Sequence, residues 1–487
     1  MKNQEISSHF SLSPLKRRLF ILFQFFLIIF VYHTLKDLKD SLVITASDAG
    51  AEVIPFIKIW AMLPAAIAAS YFFSKLYQRL GREKTLYFFI ALLLGTYIAF
   101  AFVLFPFRES LHPGHFSDYL KLHLPEGAKG FVAMISFWYF TVFYLAAELW
   151  SVLILSILFW SFVNETTTLD EAKNFYPLCM FTGNFAGIAS GQFSHFLCHH
   201  LVDHFSWQTT LQLLIIMVSI CGMAIMWLNR QLSKEAPLTP ITKTKKASNT
   251  FSFKDQLMSI FSNKKLLCIS LLVVGFGLTT NLIEVVWKEK VKYLHPTPKA
   301  YNAYINQLTS LIGIFAVCTA FCSRWIFRKL NWTQSAMLTP FALFITSLLF
   351  FASLLISHES LSSLSSSLGI TPIHLIVTLG SIYYVIAMTA KYTLFDTSKE
   401  MAFLSIDLAE RTKAKSVIDS IGSRLGKSGA SCFYQFLLVT FGAASGHVSI
   451  IGIICLCVIA ISMAATKKLG SHLSGQEDLE ERATQLT

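Results

Sequence analysis

The sequence has few charged residues for its length. Asp, Glu, Lys and Arg make up 14% of its 487 residues, whereas soluble domains average about 25%. Hydrophobic residues account for 54% of the chain, and the mean hydropathy is +0.56. This balance excludes an ordinary soluble domain and indicates an integral membrane protein.

Motifs of catalysis and metal binding are also lacking. The chain has no HExxH, CxxC or GxSxG sequence, so neither an enzyme nor a bound cofactor is predicted. Its nine cysteines are an odd number and lie mostly in apolar stretches, which favours packing roles over a disulfide framework. His195, His199, His200 and His204 have nearly helical spacing and could hold a metal, but we interpret them as an interfacial cluster without one.

Long apolar runs are what the sequence does have. A helix needs about 20 apolar residues to cross a bilayer, and runs near this length recur about twelve times. The predicted spans are 19–35, 54–76, 85–107, 130–160, 173–198, 207–229, 266–287, 303–327, 335–357, 370–393, 414–441 and 446–466. We therefore expect an all-α membrane protein of about twelve transmembrane helices.

The distribution of Lys and Arg predicts the orientation of these spans. The loops near 199–206, 357–371 and 442–447 contain no Lys or Arg, whereas the alternate segments are basic. Cytoplasmic loops carry the excess of positive charge in membrane proteins, so both termini are predicted to be cytoplasmic. The net charge of +12 follows from this topology and requires no nucleic-acid partner.

The spans divide into two sets of six. A basic linker rich in Lys, Ser, Thr and Pro occupies 231–265 on the predicted inner side. We predict an N-terminal half (1–230), this linker, a C-terminal half (266–468) and a cytoplasmic tail (469–487). Two six-helix halves are typical of major-facilitator transporters, whose substrate site lies between the halves near the bilayer midplane.

The segment 419–429 places two cations inside a predicted span. Its sequence Gly422 to Ser428 reads GxxxGKS, one residue short of the phosphate-binding loop GxxxxGK[ST] that follows a strand. No strand-like run precedes it, and its polar residues recur at helical spacing. We therefore predict a helix with one polar face, on which Arg424 and Lys427 lie.

Further charges occur in other predicted spans. A charge at mid-bilayer costs roughly 2.5–3.5 kcal/mol on insertion scales, so such residues are candidates for function. The charged candidates beyond Arg424 and Lys427 are Lys58, Glu148, Glu284, Lys288 and Lys391, and the neutral Asn281 is added because it shares a helix face with Glu284 and Lys288.

These charges have two interpretations. They could be structural ion pairs, such as Glu148 with Lys391 or Arg424. The cations Lys58, Lys391, Arg424 and Lys427 nevertheless outnumber the carboxylates Glu148 and Glu284, and excess buried positive charge requires an anionic guest. Phosphate groups suit Lys and Arg ligands, so a phosphate-bearing substrate is predicted.

At these residues the chain resembles the nucleotide transporter family of obligate intracellular bacteria and plastids, the ATP/ADP translocases. The resemblance includes NLIEVVWK at 281–288 and GSRLGKSG at 422–429. The remaining blocks are 36–46, 50–58, 147–150, 159–160, 164–167, 171–177, 391–396 and 399–402.

The resemblance implies alternating access and exchange of host ATP for ADP plus phosphate across the bacterial inner membrane. It also implies that Lys58, Glu148, Glu284 and Lys427 match charged positions on which the family depends. Departures such as Ser47-Asp48 and Thr397-Ser398 leave the substrate open, because the family also contains proton-coupled nucleotide importers and an NAD/ADP exchanger. A membrane receptor or scaffold that does not transport is the alternative from another class.

Overall fold

The structure, a computed structural model, describes residues 14–46, 49–160, 162–163, 169–199, 205–235, 263–404, 406, 418, 423–442 and 448–485. Within these ranges every regular element is helical. Most of the predicted linker 231–265 falls outside them. The predicted domain boundaries therefore stay predictions.

Twelve long helical segments, α1–α12, follow one another along the described chain. In order they are Pro14–Ala46, 53–80, 82–104, Trp138–Phe159, Leu169–His199, Trp207–Glu235, Lys264–Leu294, Pro298–Lys329, Trp332–Leu355, Pro372–Leu404, Ser423–Phe441 and Val448–Gln485. Short helices fill two connections: Arg108–Leu111, Gly114–His123 and Lys129–Ser136 between α3 and α4, and His358–Ser367 between α9 and α10.

Gly81 separates α2 from α3. The helical hydrogen-bond pattern continues past it, but its backbone has φ 74° and ψ 175°. Residues with a Cβ avoid positive φ, so glycine is the residue that permits this break. The 55-residue stretch Gly50–Leu104 is thereby two segments.

Nine stretches of the described residues are long and apolar enough to cross a membrane, and Gly50–Leu104 is one of them. The helices α5 and α11 do not meet this criterion within the described residues. The all-α prediction is confirmed, whereas the count of twelve spans stays a prediction.

The same packing pattern occurs twice in the bundle. In the first half α1 contacts α4, α5 and α6, and in the second half α7 contacts α10, α11 and α12. Likewise α3 packs against α4 and α6, and α9 packs against α10 and α12. The two halves meet through α5 with α8, α1 with α8, and α2 with α11.

The crossing of α5 and α8 is close because both helices have glycine there. A Cβ on Gly191 would overlap the Ser310 hydroxyl and the Asn306 carbonyl oxygen. One on Gly313 would lie 2.6 Å from Cγ1 of Ile188. Small residues allow helix backbones to approach within membranes, and here they hold the two halves together.

The helix α1 is longer than predicted. Hydropathy ends the first span at residue 35, because Lys36, Asp37, Lys39 and Asp40 follow. The helix instead continues to Ala46, with Asp37, Lys39 and Asp40 all buried. These charges extend into the bundle because Lys39 and Asp40 form ion pairs with other helices and Asp37 accepts a hydrogen bond from the Thr309 hydroxyl.

Candidate functional site

A cavity of about 520 Å³ lies between the two halves. Its walls come from α1, α2 and α4 of the first half and from α7, α10 and α11 of the second. Among the described residues that line it are seven lysines and four carboxylates. The lysines are Lys36, Lys39, Lys58, Lys288, Lys391, Lys399 and Lys427, and the carboxylates are Asp40, Glu148, Glu284 and Asp396.

Five of these side chains form a row of ion pairs with alternating charge. Lys39 Nζ lies 3.0 Å from Glu148 Oε1 and 2.6 Å from Asp40 Oδ1. Lys288 Nζ donates to the other oxygen of Asp40 at 2.6 Å and to Glu284 Oε1 at 2.6 Å. The row therefore connects α4 and α1 of the first half with α7 of the second.

The three central side chains of this row are less exposed to solvent than the two carboxylates at its ends. The side chains of Lys39, Asp40 and Lys288 are 4–5% exposed, against 32% for Glu148 and 17% for Glu284. The Lys39 ammonium also lies 3.8 Å from the centre of the Tyr144 ring. Buried charges are tolerated only when paired and hydrogen-bonded, and the central three meet that condition.

Two further lysines link the halves through neutral groups. Lys58 of α2 donates to Asn281 Oδ1 of α7 at 2.8 Å. Lys36 of α1 donates to the Tyr384 hydroxyl of α10 at 3.1 Å. Both lysines line the cavity.

The structure brings most of the predicted residues together. Seven line the cavity: Lys58, Glu148, Asn281, Glu284, Lys288, Lys391 and Lys427. Arg424 belongs to α11, but its side chain lies outside the described part of the structure. Among the described side chains, the ion-pair partner of Glu148 is Lys39 and not Lys391. A pair with Arg424, the other option of the ion-pair interpretation, falls outside the described side chains.

Lys36, Lys39 and Asp40 line the cavity but were not among the predicted site residues. They follow the predicted end of the first span, yet Tyr32, Lys36, Lys39 and Asp40 recur at spacings of three and four residues and so share one face of a helix. That periodicity was the signal that could have identified them.

Several charged residues lie at departures from regular α-helix. Lys58 is in the π-helical segment Ile57–Met62, Lys391 begins the segment Lys391–Phe395, and the segment Trp150–Phe159 begins two residues after Glu148. Such π-helical turns are rare and frequently occur at functional sites. They change which side chains face the cavity relative to a regular helix.

The GxxxGKS segment is helical where it is described. Lys427 lies in α11, as predicted, and not in a phosphate-binding loop. Gly426 faces α7: a Cβ there would lie 2.8 Å from the Val274 carbonyl oxygen and 3.0 Å from Cα of Gly277 on that helix. Glycine at this position allows α11 to approach α7, while Lys427 remains exposed at the cavity.

One end of the cavity is closed by contacts between the halves. We call the end of the bundle that carries Ala46, Gly50 and Leu294 the outer end, following the predicted orientation. Near the outer end the backbone N–H of Ala51 donates a hydrogen bond to Glu289 Oε2, and Gln435 Nε2 donates to the Pro55 carbonyl oxygen at 2.8 Å.

The histidine cluster lies apart from the cavity. His195 Nδ1 lies 3.0 Å from the Ala303 carbonyl oxygen, and its ring stacks on His199 at 5.2 Å. His200 and His204 lie outside the described residues. Within the described residues no three His, Cys, Asp or Glu side chains are grouped as metal ligands. All nine cysteines are free.

Comparison with known proteins agrees with this architecture. The family described as TLC ATP/ADP transporter matches residues 9–473. The ADP,ATP carrier protein 2 of Chlamydia pneumoniae is 32% identical over 469 residues, covering 92% of this chain and 87% of that protein. The chloroplastic ADP,ATP carrier protein 2 of Arabidopsis thaliana is 35% identical over 463 residues, covering 94% and 75%.

A solved structure shares the fold. The bacterial homologue of the iron transporter ferroportin, in its inward-facing state, superposes with a TM-score of 0.61 over 94% of this chain and all of its own, at 12% identity. This likeness concerns architecture alone and confirms the major-facilitator-like fold. On the sequence matches, the chain belongs to the TLC ATP/ADP transporter family.

Proposed function

We propose that this protein exchanges nucleotides, ATP against ADP, across the bacterial inner membrane by alternating access. The observation that carries the proposal is the excess of lysines over carboxylates in a cavity shared by both halves. A chain of the TLC ATP/ADP transporter family with such a cavity is suited to a polyanion. The lipid bilayer is its environment, and both termini are cytoplasmic in this proposal.

Lys391 and Lys427 are the first candidates to bind phosphate. Both line the cavity, and within the described part of the chain neither forms an ion pair with a carboxylate. Lys58, bonded to an amide oxygen, keeps its charge available as well. Arg424 on the same helix as Lys427 completes the proposed set. An ammonium serves as a point charge to phosphate oxygens, and a guanidinium binds them in a fork.

Glu148 and Glu284 have a different role in this proposal. Each faces the cavity and pairs with a lysine, Glu148 with Lys39 and Glu284 with Lys288. They neutralise those cations while the site holds no nucleotide. Anionic phosphates compete with the two carboxylates for lysine, so substrate binding and rearrangement of these pairs are coupled.

Strict exchange follows from the cost of an empty site. A cavity with unneutralised lysines is expensive to enclose away from water, whereas the same cavity filled by a polyanion is not. The loaded transporter therefore reorients more readily than the empty one. Inorganic phosphate transported together with ADP would bind the same lysines, because it is also an anion.

The test is transport by the purified protein in lipid vesicles. We expect labelled ATP to enter vesicles preloaded with ADP and to enter nucleotide-free vesicles far more slowly. Uptake that is independent of internal nucleotide and abolished by an uncoupler would instead establish proton-coupled import. A competition panel of ATP, GTP, UTP and NAD against labelled ATP identifies the preferred base.

A further inference from the structure

Asp40 lines the cavity and was not among the site residues predicted from the sequence. Its two carboxylate oxygens bind two lysines on different halves, Lys39 of α1 at 2.6 Å and Lys288 of α7 at 2.6 Å. Its side chain is 5% exposed. One of its two ion pairs, with Lys39, lies within α1, and the other, with Lys288, crosses from the first half to the second.

The position of this pair along the bundle determines what it opposes. Asp40 and Lys288 each lie six residues before the outer end of their helix, Ala46 and Leu294 respectively. At 1.5 Å per residue this is about 9 Å from that end. Opening the outer end separates α1 from α7, so it must pull Lys288 away from Asp40.

Separation has different consequences in the empty and the loaded transporter. In the empty state Lys288 keeps only Glu284, and Asp40 keeps only Lys39, so one charge-assisted hydrogen bond is lost in a nearly dry place. In the loaded state a phosphate oxygen in the cavity can become the second partner of Lys288. The loss is then offset by the substrate.

We propose that Asp40 is the positioning residue that makes transport depend on exchange, because its ion pair with Lys288 prevents the empty transporter from opening outward. This inference rests on the proposed function. Asp40 acts through Lys288 and needs no contact with the nucleotide. Removal of the Asp40 charge should therefore weaken the requirement for internal nucleotide more than it changes the rate of ATP uptake into ADP-loaded vesicles.

The experiment compares labelled ATP uptake into ADP-loaded and nucleotide-free vesicles, using Asp40→Asn in the full-length protein. The amide keeps the size of the side chain and removes its charge, while the pairs Glu148–Lys39 and Glu284–Lys288 remain. We expect the loaded-to-empty uptake ratio to fall about tenfold, which corresponds to about 1.4 kcal/mol of barrier. Asp40→Glu should restore the ratio, since it restores the charge.

Asp37→Asn is the matched control. Asp37 lies one turn earlier on α1, is equally buried and also contacts the second half, but its partner is the Thr309 hydroxyl at 2.6 Å. An amide oxygen can accept that bond, so the uptake ratio should stay at the wild-type value. A ratio that falls equally in Asp37→Asn would show a general weakening of α1 and overturn the role of Asp40.

The outcomes also separate this inference from the proposed function. Wild-type uptake that ignores internal ADP would refute exchange itself. Wild-type exchange with an unchanged ratio in Asp40→Asn would refute only the role of Asp40. If Asp40→Asn does not fold, Lys288→Gln breaks the same ion pair from the second half. The uptake ratio of Lys288→Gln, normalised for the weaker nucleotide binding of this variant, should fall in the same way. An unchanged ratio in Lys288→Gln would also overturn the inference.

Discussion

The backbone N–H of Ala51, in the first half, donates a hydrogen bond to Glu289 Oε2, in the second half, at 2.7 Å. Gly50 beside it has φ +56°, and a Cβ at this position would overlap the Glu289 carboxylate. The carboxylate thus binds a free N–H group at the start of the helical stretch that leads into α2. This contact closes the outer end across the two halves.

Gly50→Ala should therefore impair closure of the outer end. The added methyl group displaces Glu289 and costs a charge-assisted hydrogen bond, which predicts a loss of exchange rate of about tenfold or more. The measurement is the initial rate of ATP/ADP exchange in vesicles. Gly81→Ala is the control, because Gly81 also has positive φ but no atom near its added Cβ. It should cost roughly 1–3 kcal/mol of backbone strain and leave exchange active.

Lys427→Ala should weaken nucleotide binding. Loss of one charged hydrogen bond to phosphate predicts an affinity lower by about 10–100-fold. Lys427→Arg should keep part of the affinity, since it retains the charge with a different geometry. Binding of ATP to detergent-solubilised protein measures both. Lys468→Ala changes an exposed lysine outside the cavity and should bind ATP as tightly as the wild type. An equal loss of ATP affinity in Lys427→Ala and Lys468→Ala would show that only the net positive charge of the protein attracts the nucleotide.

Tyr392 should contribute to recognition of the base. It lines the cavity, is 50% exposed and lies in the π-helical segment after Lys391. Stacking of a base on an aromatic ring is worth roughly 1–3 kcal/mol. Tyr392→Leu should therefore raise, about tenfold, the concentration of unlabelled ATP that halves the uptake of labelled ATP. Tyr392→Phe should not. Tripolyphosphate, which has no base, should inhibit all three proteins alike; a parallel loss for tripolyphosphate would refute stacking.

Gly191→Ala should destabilise the contact between α5 and α8. The methyl group would overlap Ser310 and Asn306, and overpacking of this kind costs about 1–3 kcal/mol. Gly95→Ala on α3 has free space around its added Cβ, and it should stabilise the helix by roughly 0.5–1 kcal/mol. Thermal unfolding in detergent should move in opposite directions for the two variants. Equal shifts would contradict the close crossing.

Hydropathy and helical spacing predicted the helices because both are local properties. The helical assignment of Lys427 needed only the spacing of neighbouring polar residues, and the structure confirms it. The end of α1 could not be found in this way. Whether Lys39 ends a membrane helix or continues it depends on Glu148, more than a hundred residues away, and on Asp40, which itself depends on Lys288.

The sequence predicted which residues belong to the site better than it predicted which of them form ion pairs with each other. Charges in apolar segments are conspicuous, so Glu148, Glu284 and Lys427 could be selected from the sequence alone. Their partners could not, since ion pairs between helices depend on the rotation of each helix. The π-helical turn at Lys391 alters that rotation locally and has no signature in residue spacing.

The division of labour between Gly426 and Lys427 has a consequence for how such carriers diversify. Helix packing is assigned to one residue and contact with the cargo to its neighbour, which faces the cavity. A substitution at Lys427 can alter the charge preference of the cavity without disturbing the seam between α11 and α7. Selection can therefore tune what is carried and what holds the protein together as two nearly independent traits, one residue apart.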